Sequence, residues 1–195
     1  MTVYELITSR RTIRQFKPES IPRSLLKDMV NAARLAPSAA NRQPLEFIAV
    51  DDPELRGHVF PCVKWAAYIA PQGDPKPGQE PRAYIVNLVD TEVRTSGFEW
   101  EMGASIENMI LTALEQGVCS CWMLSIDRDK IRDILNIPAR FKIDSVLALG
   151  YPAEESVAEE MNGDSVIYWK DDLGVMHVPK RALNKIMHFN RMGTE

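Results

Sequence analysis

The sequence predicts an α+β fold, a mixed central sheet flanked by helices, on three observations. Apolar residues recur at helical spacing in two clear runs: Leu25, Leu26, Met29, Val30 and Ala33, then Met102, Ile106, Met109, Ile110, Ala113 and Leu114. Short aliphatic runs read as strands, at Phe47–Val50, Tyr84–Val89, Val118–Ile126 and Ser145–Leu149. Helices and strands interleave without the strict alternation of a parallel βαβ protein. A chain of 195 residues with no internal repeat and no linker reads as one domain, 1–195.

Each element follows from local chemistry. Val3–Ser9 is a short helix with Tyr4 and Ile7 spaced to face one side, and Arg10–Phe16 is extended, with Ile13 apolar between polar neighbours. Ile21-Pro22 opens the second helix, because proline is favoured in a first turn, and that helix must stop before Pro37. Ala36–Pro44 is a polar loop. The strand at Phe47–Val50 ends at Asp51-Asp52-Pro53, and Arg56–Ala70 reads as a helix interrupted by Pro61. Residues 71–81 hold four prolines and two glycines. This irregular segment is either a surface bulge or, beside Trp65 and Tyr68, the rim of a pocket.

The Met102–Leu114 helix ends at Gly117, where glycine tolerates a left-handed turn. Its apolar positions exceed one buried stripe, which predicts that part of it packs on a symmetry mate. Asp127 caps a helix Arg128–Leu135. Ser165–Lys170 and Gly174–Val178 flank Asp171-Asp172-Leu173 as a hairpin, and the tail Arg181–Phe189 reads as helical.

A net charge of −4 argues against a general affinity for nucleic acid. No apolar run approaches the roughly 20 residues of a membrane helix, and the N-terminus lacks a signal-peptide stretch, so a cytoplasmic protein is expected. Cys62, Cys119 and Cys121 are an odd number with two almost adjacent, a poor disulfide framework. Cys119 and Cys121 leave a metal two ligands short, and a buried structural role suits them better. Neither G-x-G-x-x-G nor a P-loop occurs, His58, His177 and His188 are scattered, and no catalytic triad stands out. If the chain is an enzyme, its hard chemistry belongs to a cofactor.

Three segments carry candidate residues. In an extended strand Arg10, Thr12 and Arg14 point to one side. Two guanidinium forks and a hydroxyl can receive a phosphate monoester, although a solvated basic stretch is the alternative. Pro37–Pro44 joins small residues to amides that both donate and accept, which suits the edge of a flat heteroaromatic ring. Lys180-Arg181 offers a second grip on an anion.

Taken in order, RRTIRQF, APSAANRQP, GASIENMILTALEQGVCSCWM, LALGYP and VPKRALNKI resemble the FMN-dependent nitroreductase family over almost the whole chain. The resemblance implies a nitroreductase-like homodimer with both flavin sites in its interface. It implies that Arg10, Arg11, Thr12 and Arg14 hold the FMN phosphate and ribityl chain, helped by Lys180 or Arg181. Ser38, Ala39, Asn41 and Gln43 would approach the flavin, partly from the partner subunit. Trp122, Met123 and Leu124 match the strand end that lines the ring system, mostly through backbone.

The activity implied is ping-pong oxidoreduction, from NADH or NADPH through FMN to a small acceptor such as a nitroaromatic or quinone. The alternatives are a flavin-binding chaperone or sensor, and a member specialised for reductive dehalogenation or flavin fragmentation. Leu45 stands where many members carry an aromatic, and Cys119 and Cys121 stand where small residues are frequent.

Overall fold

The computed structural model describes residues 1–193. In chain order its elements are α1 (Val3–Ser9), α2 (Arg23–Arg34), β1 (Leu45–Val50), α3 (Pro53–Val59), β2 (Ala83–Asp90), α4 (Glu99–Glu115), β3 (Cys119–Met123), α5 (Arg128–Ile134), β4 (Phe141–Gly150), β5 (Ser156–Glu160), β6 (Trp169–Lys170) and β7 (Met176–Lys180). Four strands form the main sheet in the order β1-β2-β4-β3. All three of its pairings are antiparallel, so this sheet is not mixed as expected. Among the described residues, parallel pairing occurs at the Thr12–Ser120 bridge on the outer edge of β3 and between β5 and β7 in a second sheet ordered β5-β7-β6.

Both faces of the main sheet are covered, which is why β2 and most of β4 are apolar without alternation. On one face α2 and α4 pack Leu26, Met29, Met102, Ile106 and Met109 against Ile85, Val89, Leu147 and Leu149. On the other, Ile13, Phe16, Trp65, Cys121, Met123 and Ile131 surround Tyr84, Val86, Val146 and Ala148. Met102 and Met109 are therefore buried inside their own chain, whereas Leu111 and Leu114 of the same helix are half-buried. Apolar side chains left outside include Val3, Tyr4 and Ile7 of α1, Leu35, Tyr68 and Trp100. Tyr4 and Ile7 thus share a side, but it is the outer one; Leu6 is the buried residue of α1.

Several boundaries shift for identifiable reasons. Asp52 caps α3 by accepting from the Glu54 and Leu55 amides, with Pro53 in the first turn. The helix thus starts before Arg56 and stops at Val59, followed only by single 3-10 turns at Phe60–Cys62 and Ala67–Ile69. β1 begins at Leu45 and is only half-buried as an edge strand, while β4 begins at Phe141. Asp127 caps α5 through the Lys130 amide as expected. Gly117 is left-handed, with φ of 76°. The tail is not a helix: among the described residues it forms one 3-10 turn, Leu183–Lys185, and leaves Leu183, Ile186, Met187 and Phe189 exposed.

The hairpin exists in shortened form, with β6 only Trp169–Lys170, and its turn is organised by the Asp171 carboxylate accepting from the Leu173 and Val175 amides. Polar side-chain contacts add to the strand pairing of this small sheet. His177 lies with Nδ1 3.0 Å from Glu159 and Nε2 3.4 Å from Asp171, and its ring stacks on Trp169 at 4.2 Å. Only the imidazolium can donate to both carboxylates. The hydrogen bond to Glu159, then that to Asp171, raises the His177 pKa above its ordinary value.

Candidate functional site

The arginine segment is braced before any ligand is considered. Its backbone leaves α1 in an extended conformation at Arg10. The Ile13 amide donates to the Ser120 carbonyl at 3.0 Å, which fixes the segment on the open edge of β3. Ile13 and Phe16 anchor it in the core. Phe16 lies so close to Gly150 that a Cβ there would come within 2.6 Å of the Phe16 ring, so only glycine fits. From the other side, Glu154 accepts the Arg14 amide at 2.6 Å and pairs with Lys170 at 2.9 Å.

The side chains do not all converge on one face. Arg10 approaches Glu107 of α4 at 3.7 Å. Arg14 turns to the opposite layer, where its guanidinium lies 5.2 Å from the centre of the Tyr168 ring. Arg11 lies between, donating to the Arg10 carbonyl. The guanidinium groups thus straddle the β3 edge. The Nε atoms of Arg11 and Arg14 are both enclosed without a hydrogen-bond partner. Burial, then repulsion from Arg10, pulls the Arg11 pKa below its ordinary value. Enclosed donors left without a partner favour an anion. The residues present therefore fit a phosphate-bearing cofactor, with Thr12 half-buried among them.

The Ser38–Gln43 loop is set by its own backbone. Ser38 Oγ accepts the Gln43 amide at 2.9 Å, and the Asn41 amide donates to the Ser38 carbonyl at 2.8 Å. Ala40, Asn41 and Gln43 have φ of 55°, 52° and 51°, a conformation that side-chain-bearing residues adopt at a cost. Ala39 and Asn41 lie exposed, and Gln43 donates back to the Asn41 carbonyl. A cavity of about 160 Å³ opens beneath the loop, lined by Ser38, Gln43, Phe47, Glu101 and Ser105 among others. One oxygen of the buried Glu101 pairs with Arg94 at 3.1 Å, and the other has no partner. Sequence reasoning missed Glu101. The signal was available, since Glu101 and Ser105 stand four apart on the apolar stripe of α4.

At the end of β3, Trp122 is 39% exposed and Leu124 58%, whereas the Met123 side chain is buried in the core. Trp122 and Leu124 thus offer apolar surface, and Met123 can contribute only backbone. Burial pushes the Cys121 thiol up to about 11 and raises Cys119 too, so both are neutral core thiols at pH 7. Lys180 and Arg181 lie exposed at the end of β7, on the small sheet. Arg181 donates to the Lys185 carbonyl. Among the described residues no three His, Cys, Asp or Glu side chains are placed to hold a metal ion, and no helix is long and apolar enough to cross a membrane.

Fold and site together define a class, an α+β protein with arginines at the open edge of its sheet, two of them with an enclosed, unpartnered Nε. Residues 7–151, well over half of the chain, match the Nitroreductase family. The NADH dehydrogenase of Thermus thermophilus is 28% identical over 194 residues, covering 83% of this chain and 92% of that protein. The iodotyrosine deiodinase of Haliscomenobacter hydrossis is 24% identical over 183 residues, covering 81% and 82%. The solved structure of an FMN-dependent nitroreductase from Clostridium difficile superimposes with a TM-score of 0.69 at 24% identity, over 95% of this chain and 98% of that one. The chain belongs to the nitroreductase family and is an enzyme of that family.

Proposed function

We propose that this enzyme binds FMN and passes electrons from NADH or NADPH to a small acceptor, such as a nitroaromatic or quinone, in ping-pong order. The observation that carries this reading is that the guanidinium Nε atoms of Arg11 and Arg14 are both enclosed without a partner, in a chain whose sequence shows no catalytic triad. When bound, FMN supplies the hydride chemistry that amino-acid side chains lack. Arg10, Arg11, Thr12 and Arg14 hold its phosphate end, with Lys180 or Arg181 closing on it. Ser38, Ala39, Asn41 and Gln43 meet the ring edge, and the surface of Trp122 and Leu124 with the Met123 backbone excludes water beside it. The names of the Clostridium and Thermus relatives support FMN and a nicotinamide donor.

The same reading makes the enzyme a cytoplasmic homodimer with each flavin shared between subunits. Exposed Tyr4, Ile7, Leu35, Trp100, Leu183 and Phe189 support this, because apolar surface of that extent suits an interface. Sedimentation at low micromolar concentration is expected to show a dimer; a stable, flavin-loaded monomer contradicts the shared site.

Arg11→Ala and Arg14→Ala are each expected to weaken FMN binding by about 2–5 kcal/mol, the cost of removing one partner from a desolvated charge pair. Arg23→Ala is the control, because Arg23 pairs with Asp51 on the exposed side of α2. Equilibrium dialysis of FMN measures all three, and equal retention discards the assignment. The deiodinase relative supports reductive dehalogenation as a second reading of the same site. An anaerobic acceptor panel with nitroaromatics, quinones and halophenols decides between them. A passive flavin carrier would not be reduced by NAD(P)H.

A further inference from the structure

Gln15 is a polar residue in an apolar setting. Only 2% of its surface is exposed, and it sits between Arg14 and the core residue Phe16. Both ends of its amide are used. Nε2 donates to the Asp74 carbonyl at 2.7 Å, and Oε1 accepts the Lys76 amide at 2.8 Å. Beside this, the Phe16 amide donates to the Gln79 carbonyl at 3.0 Å. For packing alone an apolar side chain would serve better, since a buried amide is favourable only where its partners are held in register. Here the partners are backbone groups on either side of Pro75, in residues 71–81. That loop is therefore sewn to the residue next to Arg14.

The other side of Arg14 is equally tied. Its amide goes to Glu154, and the Ala153 amide donates to the Gln15 carbonyl at 2.8 Å. Between the loop and the small sheet lies a cavity of about 390 Å³, lined by Gln15, Gln72, Lys76, Gln79, Glu154 and Lys170 among others. A loop released from Gln15 has this space to move into. Arg14 would then lose one of the two walls that fix its backbone.

We propose that Gln15 is a positioning residue that couples residues 71–81 to Arg14, so that capture of the phosphate and ordering of the loop are one event. The proposal rests on the reading of Arg14 as part of the phosphate grip. Coupling of this kind is reciprocal: whatever ordering the loop lends to anion binding, anion binding returns to the loop. No side chain of the loop has to touch the flavin for this to hold. Shortening the loop would then disturb flavin binding as well as acceptor selection, contrary to the expectation for a rim that carries no phosphate ligand.

The test is amide hydrogen exchange on the full chain, with and without saturating FMN, read at the Lys76 and Gln79 amides. In the wild type, FMN is expected to slow exchange at both. In Gln15→Leu, which keeps the bulk and removes both bonds, that protection is expected to vanish and the Kd for FMN to rise roughly tenfold, the scale of one net hydrogen bond. Lys76→Pro deletes the amide from the exposed side of the loop without touching the core. It is expected to give the same rise in Kd and the same loss of FMN-dependent protection, read at Gln79, and it decides the matter if Gln15→Leu does not fold. FMN binding by the wild type with no change in loop exchange, or unaltered Kd in the variants, overturns the coupling and leaves the proposed function standing. No FMN binding by the wild type overturns both.

Discussion

From Val146 to Gly150 every residue of β4 is buried, whereas no residue of β5 is, and in β7 only Met176 is. The two sheets lie in one chain and differ in what holds them. The main sheet is closed by aliphatic side chains on both faces, a force that scales with apolar area and ignores pH. The small sheet carries the His177 ring between two carboxylates, an indole stacked on it, and a Lys170–Glu154 pair. The arginine segment lies where they meet, with Ile13 and Phe16 in the first and Arg14 against the second. The cation cluster therefore inherits rigidity from one sheet and adjustability from the other.

The sharpest way to break this contrast is Phe16→Ala. Phe16 is fully buried and fills the space over Gly150, so its loss is expected to cost about 3–5 kcal/mol by transfer and cavity terms together. Urea unfolding measures it, and the loss should be the same at pH 6 and pH 8. A variant within a few tenths of a kcal/mol of wild type would mean that the segment is not anchored in the core.

The smaller effect belongs to the small sheet and depends on pH. Because the folded pKa of His177 lies above its ordinary value of 6.5, the stability it contributes is fully present below 6.5 and is lost as pH rises through the folded value. Hydrogen exchange in β5–β7 should therefore accelerate with rising pH beyond the intrinsic amide dependence, while β2 and β4 remain protected. His177→Gln should remove that excess. An excess that persists in the variant would place the titration elsewhere.

The same contrast separates what was legible in the sequence from what was not. α1, α2, α4 and α5, the strand cores and the Asp127 cap follow from periodicity and local chemistry, which act over a few residues. The sheet was misjudged as mixed because pairing partners such as Val86 and Val146 leave no local trace of direction. The tail was misjudged because its apolar spacing at Leu183, Ile186 and Met187 suits a helix, yet these side chains stay exposed among the described residues. Within the candidate site, the extended course of the arginine segment was legible from alternation. Its divergence to two layers was not, since Glu107 and Tyr168 are distant in sequence. Gln15 and Glu154 were invisible for the same reason: Arg14 and Glu154 are 140 positions apart.

The bracing of Arg10–Phe16 has a kinetic consequence. Stitched to Ser120, wedged beneath Gly150 and tied to Glu154, the segment has little left to order on encounter, so little affinity is spent on arranging it. On the proposed reading an arriving anion meets cations whose backbone is already set, and its encounter rate should depend on ionic strength. What remains to be ordered is the 71–81 loop. Differences among ligands and variants should then lie in escape, in how long the guanidinium donors hold once they have closed.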